Sequence, residues 1–117
     1  MPKRRGSRDG EHIGVVLGRL LQRIKVFDEG KPVPLIKKIA EGTAIQKWPE
    51  VVGKITSSHT EPLRIKGSVL FVGVDSSIWA NELSLLKLQI IRDINKAIGQ
   101  ELIRDIYFKI MEIGNNR

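Results

Sequence analysis

The chain has 117 residues, room for one compact domain, with the 41% hydrophobic and 28% charged composition of a folded protein. It holds no cysteine, which excludes disulfides and thiolate metal sites, and its longest apolar run, Val69 to Val72, falls far short of the ~20 residues that cross a bilayer. Formal net charge is +7 with a pI near 10.0, concentrated in residues 1–11 (+2) and 12–60 (+4) rather than 61–117 (+1), an electrostatic footprint suited to nucleic acid.

Residues 1–11 mix Lys3, Arg4, Arg5 and Arg8 with Gly, Ser and Asp and read as a disordered basic arm. No apolar stretch or small-residue cleavage site follows, so no secretory signal is expected and the location implied is cytoplasmic. From Ile13 the apolar residues Val16, Leu17, Leu20, Leu21, Ile24 and Phe27 recur every three or four positions, the stripe of a first helix, with Arg19 and Arg23 on its other side. Asp28 to Pro32 reads as a linker. Pro34 suits the first turn of a second helix with Leu35, Ile36, Ile39, Ala40 and Ala44 buried. That helix is expected to stop or kink at Trp48, which precedes Pro49, with a short turn resuming through Val52.

Leu63–Lys66 and Val69–Val74 alternate around Gly67-Ser68, which predicts a β-hairpin with a type II′ turn. In that register Arg64 lies opposite Phe71, while Leu63, Ile65, Leu70, Val72 and Val74 take the other face. Asp75, Ser76 and Ser77 offer N-caps for one long helix from Ile78 to about Ile98, closed by Gly99. Its buried stripe is expected to be Trp79, Leu83, Leu86, Ile90, Ile94 and Ala97. Leu85 and Leu88, beside Arg92, point away from that stripe. Residues 103–113 alternate as a third strand, with Ile106, Phe108 and Ile110 facing the core. Helix, helix, strand, strand, helix, strand makes an α+β two-layer sandwich, a three-stranded sheet with helices on one face.

Little here resembles a catalytic site. His12 and His59 are the only histidines, no metal-ligand spacing exists, and no cofactor is implied. Gly53-Lys54-Ile55-Thr56 fails as a phosphate loop, since Trp48 stands where a glycine is required and Ile55 where a hydroxyl residue must follow the lysine. The binding surfaces are more promising. Arg64, Lys66, Phe71, Tyr107 and Lys109 share the outer sheet face, where cations meet phosphates and rings meet bases. Arg19, Arg23 and the basic arm are further phosphate binders, and Leu85 and Leu88, with Arg92, either pack under the first helix, the favoured reading, or form a protein-docking patch.

Several ordered segments carry a resemblance: Ile13 with Leu17 and Leu20-Leu21, Trp48-Pro49-Glu50-Val51-Val52-Gly53, His59-Thr60 with Pro62, and Leu63 to Gly67 with Leu70-Phe71-Val72. The Ser77 to Leu83 segment follows, with Trp79 in it, and then Ile103 to Ile106. Together these resemble the DciA family from about His12 to the end. The resemblance implies a KH-like fold over residues 12–117, related to the N-terminal domain of the initiator DnaA. It also implies a non-enzymatic partner of the replicative DNA helicase, associated with the nucleoid, that binds single-stranded or duplex DNA and assists loading. The alternative is a free-standing RNA- or single-strand-binding module. Many family members carry a long C-terminal extension, absent after Gly114 here, and no Gly-x-x-Gly loop is present. Trp48, Gly53, His59, Pro62, Gly67, Trp79 and Leu83 are the signature residues, and by pattern they are scaffold.

Overall fold

The structure, a computed structural model, describes residues 16–114. Lys3, Arg4, Arg5, Arg8, His12 and Ile13 lie outside them. The described residues form a mixed α+β fold of five helices and two sheets, and the chain divides into two compact units at Ile39/Ala40.

In the first unit, helix α1 covers residues 16–23, and the expected linker is instead a second hairpin, β1 (Lys25–Asp28) with β2 (Lys31–Pro34). Ile24 and Phe27 therefore leave the helix, and Phe27 is 76% exposed. The turn residues Glu29 and Gly30 both have positive φ, 54° and 80°, the type I′ geometry that suits the twist of a tight hairpin. Two prolines in β2 obscure the strand, since proline is tolerated there only because β2 is an edge. Leu35 N–H donates to the Ile24 carbonyl at 2.7 Å, closing the hairpin base, and Lys38 Nζ bridges to Asp28 Oδ2 at 3.0 Å.

Helix α2 (Leu35–Val52) begins after Pro34, which ends β2 and is not its first turn, and it runs through Pro49 without stopping. Proline in a helix costs ~3 kcal/mol, whereas full burial of Trp48 contributes about 4–6 kcal/mol, so packing outweighs the local preference. Ala40, Glu41, Ala44 and Trp48 are buried, while Ile39, expected inside, is exposed. Gly53 follows at φ 93°, ψ 162°, a region essentially restricted to glycine, and turns the chain into the short helix α3 (Lys54–Ser58).

The second unit centres on β3 (Thr60–Lys66), β4 (Val69–Val74) and β5 (Asp105–Ile110), in that order across the sheet. β3 and β4 pair antiparallel with Lys66 opposite Val69 and Arg64 opposite Phe71, as the pattern predicts. Two details differ. Gly67 and Ser68 both have positive φ, 54° and 72°, so the turn is type I′ and not II′; the Ser68 carbonyl is held there by the Arg104 N–H at 2.8 Å. The register shifts between Pro62 and Arg64, because Pro62 has no N–H to donate, and Leu63 becomes a partly exposed bulge residue instead of a core residue.

β5 pairs parallel with β4, which requires the crossover supplied by the intervening helices. These are two, α4 (Ser77–Leu85) and α5 (Lys87–Ile98), not one long helix. Leu86 adopts φ −99°, ψ 8°, and its N–H bonds the Leu83 carbonyl at 3.1 Å, a tightened turn that no Gly or Pro announces. The break takes Leu86 and Ala97 out of the buried stripe and leaves Leu83, Ile90 and Ile94 in it. Ser76 caps α4 through Oγ to Trp79 N–H at 3.3 Å, and Gly99 closes α5 in the left-handed conformation. Asn95 then clamps the loop: its amide donates to the Ile103 carbonyl and its oxygen accepts from the Leu102 and Ile103 N–H groups, at 2.8, 3.1 and 2.9 Å. β5 is shorter than expected; Ile106 is buried and Phe108 half-buried, but Ile110 is 57% exposed, on the edge strand beyond the helices.

Two residues join these parts. Thr60 Oγ1 accepts from the fully buried Trp48 indole at 2.8 Å and donates to the Thr56 carbonyl at 2.9 Å. His59 donates from Nδ1 to Asp75 Oδ2 at 2.8 Å and stacks on Trp79 with ring centroids 4.8 Å apart. No buried side-chain polar atom among the described residues lacks a partner. Thr60→Val strands the Trp48 N–H in the core and is expected to lower stability by about 1–3 kcal/mol in urea unfolding, while Thr60→Ser keeps most of it. A loss in Thr60→Ser with none in Thr60→Val would assign the effect to the methyl group instead.

Candidate nucleic-acid interface

Because the helices bury one face of the β3-β4-β5 sheet, the other is left to solvent, and strand register arranges it in rows. Lys66, Val69 and Asp105 form one row; Arg64, Phe71 and Tyr107 the next; Glu61, Gly73 and Lys109 the third. The middle row is a contact series. The Arg64 guanidinium carbon sits 5.3 Å from the Phe71 ring centroid, and the Phe71 and Tyr107 rings are 5.7 Å apart at 59°. A cation over an aromatic face is attracted by the ring quadrupole, and tilted rings at this spacing favour each other. Arg64, Lys66, Tyr107 and Lys109 are exposed and Phe71 is half-buried. All five residues expected on this face are therefore brought onto it.

Pattern reading missed one member of the face, Glu61, and placed another, Met111, without the contact it makes. Glu61 precedes the run of alternation that marked the strand, and its facing depends on the Leu63 bulge: strict period-two counting from Arg64 would send it inward. Met111 alternates with Lys109 in the sequence, but only the structure lays its thioether over Gly73, which has no side chain to keep it off. The Met111 N–H donates to the Val74 carbonyl at 2.8 Å and prolongs the β4–β5 ladder by one residue.

The acids on the face differ in their partners. Asp105 Oδ1 receives Lys87 Nζ at 3.1 Å and the Ile106 N–H at 2.8 Å. The Lys87 hydrogen bond first, and the Ile106 N–H second, hold the Asp105 carboxyl below the usual carboxylate range. Asp105 is thus already paired and takes little from the field of Arg64, Lys66 and Lys109.

The remaining candidates lie elsewhere. Arg19 and Arg23 are exposed on α1, in the first unit. Leu85 and Leu88 are 82% and 69% exposed, with Ile78 72% exposed one helical face-repeat earlier, and Arg92 bonds Gln89 Oε1 at 3.2 Å on the same side. These leucines point away from the buried stripe as expected, but their exposure corrects the favoured reading that they are packed away. Trp48, His59, Pro62 and Leu83 sit in the packing described above, Gly53 and Gly67 at positive φ, and Trp79 against His59. No group of three or more His, Asp or Glu among the described residues is placed to hold a metal ion, and no described helix is long and apolar enough to cross a membrane.

The second unit is thus an α+β fold with Trp48 and Leu83 in its core and a cation–aromatic row on the open face of its sheet. More specifically, the chain belongs to the DciA family: the family model described as "Dna[CI] antecedent, DciA" matches residues 16–108. Among curated proteins it is similar to a UPF0232 protein of Rhodococcus jostii, 32% identical over 69 residues, covering 59% of this chain and 37% of that protein. A UPF0232 protein of Corynebacterium glutamicum is 32% identical over 104 residues, 89% of this chain and 53% of that one. One of Mycobacterium tuberculosis is 30% identical over 69 residues, 59% of this chain and 37% of the relative. The chain spans between 37% and 53% of the length of these relatives.

A depressed carboxyl value means a contribution to stability that is present above the unfolded Asp value and lost as pH falls through the folded one. In a proton-detected carboxyl titration Asp105 is expected to titrate below its ordinary value of 3.8, and Lys87→Ala to move it back up. An unmoved Asp105 in that variant would assign the shift to the Ile106 N–H alone.

Proposed function

We propose that this chain is a non-enzymatic, KH-like DNA-binding adaptor of the replicative helicase, acting in the cytoplasm at the nucleoid. Family membership supports the helicase-loading role. The observation that carries nucleic-acid binding is the Arg64–Phe71–Tyr107 row, which runs across all three strands on the open face of one sheet. Rings on a sheet offer stacking surfaces to unpaired bases, and Arg64, Lys66 and Lys109 around them meet the phosphates. Such a surface favours single strands, whose bases are free to lie on it. Arg19, Arg23 and the basic arm Lys3, Arg4, Arg5 and Arg8 add sequence-independent attraction.

The KH-like reading is supported by the second unit, where α2–α3, β3, β4, α4–α5 and β5 follow one another as helix, strand, strand, helix, strand once each broken helix is taken as one. Helicase docking is assigned to Leu85, Leu88 and Arg92, which share an exposed stretch of α4–α5 on residues the core does not use. Exposed apolar side chains grouped beside a cation suit a protein surface better than water.

Arg64→Glu with Lys66→Glu is expected to weaken binding of a fluorescein-labelled single strand by about tenfold or more and to flatten the log–log salt slope by roughly 1.4, two phosphate contacts at ~0.7 each. Unchanged anisotropy in a folded double variant would remove this face from the interface. Leu85→Asp with Leu88→Asp is expected to abolish a stoichiometric complex with the hexameric helicase on size-exclusion chromatography while leaving the melting temperature within a few degrees, as for exposed sites. A wild-type chain that forms no such complex but prefers RNA hairpins to single-stranded DNA would instead make it a free-standing RNA-binding module.

A further inference from the structure

Glu61 is out of place on the face just described. It is a half-buried carboxylate among Arg64, Lys66 and Lys109, and among the described residues it has neither a hydrogen bond nor an ion pair, unlike Asp105 on the same face. A phosphate brought beside it would be repelled, so Glu61 works against the backbone-binding role of its neighbours. An ionised carboxylate can only accept hydrogen bonds. What it can take from a nucleic acid is therefore the donor edge of a base.

Its row has the form of a base site. Glu61 pairs with Gly73 on one side and Lys109 pairs with Gly73 on the other, so the backbones that carry the two charges stand two strand spacings apart, about 9–10 Å. Between them Gly73 presents no side chain, and the Met111 thioether lies there instead, a flat polarizable floor next to the Phe71–Tyr107 rings. One base fits on such a floor with an acceptor at one edge and a donor at the other. Guanine offers adjacent N1–H and N2–H donors to both carboxylate oxygens and its O6 acceptor to an ammonium. Adenine and cytosine offer a single amino group, and thymine sets its one N–H between two carbonyls that a carboxylate repels.

We infer that Glu61, Met111 and Lys109 form a base-selecting position on the sheet face that takes guanine in preference to thymine. This rests on the reading of that face as a single-strand interface. Glu61 is a specificity residue in it, Met111 the stacking floor and Lys109 the second donor.

The test is fluorescence anisotropy of the full chain with a labelled thymine dodecamer and with the same oligonucleotide carrying a central guanine. Wild-type protein is expected to bind the guanine-containing strand about fivefold or more tightly, in line with one good bidentate base contact. Glu61→Gln is expected to bring that ratio close to one while binding the all-thymine strand as well as or better than wild type, because a repulsive charge is gone. Circular dichroism verifies that the variant is folded, and Glu61→Ala serves in its place if it is not. A ratio unchanged by both substitutions, or a wild-type ratio near one with binding that still requires Arg64 and Lys66, overturns this inference and leaves the interface standing. Wild-type protein that binds neither strand overturns both.

Discussion

The second unit depends on what the adjacent pair His59-Thr60 holds. Thr60 uses its single hydroxyl twice, accepting from the Trp48 indole and donating to the Thr56 carbonyl, so α2, α3 and the start of β3 share one buried oxygen. His59 faces the other way, bonding Asp75 and stacking on Trp79, and its carbonyl accepts from the Asp75 N–H at 3.2 Å. The end of β4 and the start of α4 are thereby held beside the start of β3. The two tryptophans sit on different helices, Trp48 bonded to Thr60 and Trp79 stacked on its neighbour His59. Each buried polar atom in this joint has a partner, which is what allows a polar junction to lie in a core at all.

A joint of that kind fixes which sheet face the helices cover, and so which face is open. Trp48, Leu83, Ile90 and Ile94 pack on Ile65, Leu70, Val72 and Ile106. Nothing of the second unit's core lies over Arg64, Phe71 and Tyr107. The helix break at Leu86 has a similar consequence, since it parts the apolar residues of α4–α5 into an inward group and an outward one. Leu85 and Leu88 are exposed because the core is already complete without them. The proposed DNA face and the proposed helicase patch thus use residues that folding leaves over.

Charge on the open face is less uniform than its cations suggest. Lys87, from the start of α5, neutralises Asp105, whereas Glu61 stays unpaired among the described residues. An unpaired carboxylate works against phosphate attraction, and it is the residue on which the proposed base-selecting position turns. The stretch that places the chain in the DciA family, residues 16–108, contains both of these acids.

Much of this was readable in the sequence wherever the cause was local. The Lys66–Val69 register, the Ser76 cap, the Gly99 stop and the facing of Arg64, Phe71 and Tyr107 follow from turn chemistry and period-two alternation within a few residues. Most of the departures depend on contacts with residues distant in the chain. Pro49 stays helical because Trp48 is buried against the core, Ser68 takes positive φ because β5 begins on its carbonyl, and Leu63 bulges because Pro62 cannot donate to a partner strand. The β1–β2 hairpin hid behind two prolines that only an edge tolerates, and the parallel pairing of β5 needed the crossover to exist. So the sequence by itself determined the family, the α+β class and the cation–aromatic face. Tertiary structure alone decided the second sheet, the split helix and the position of Glu61, because a hydrogen bond or packing contact between residues far apart leaves no periodic trace in either segment.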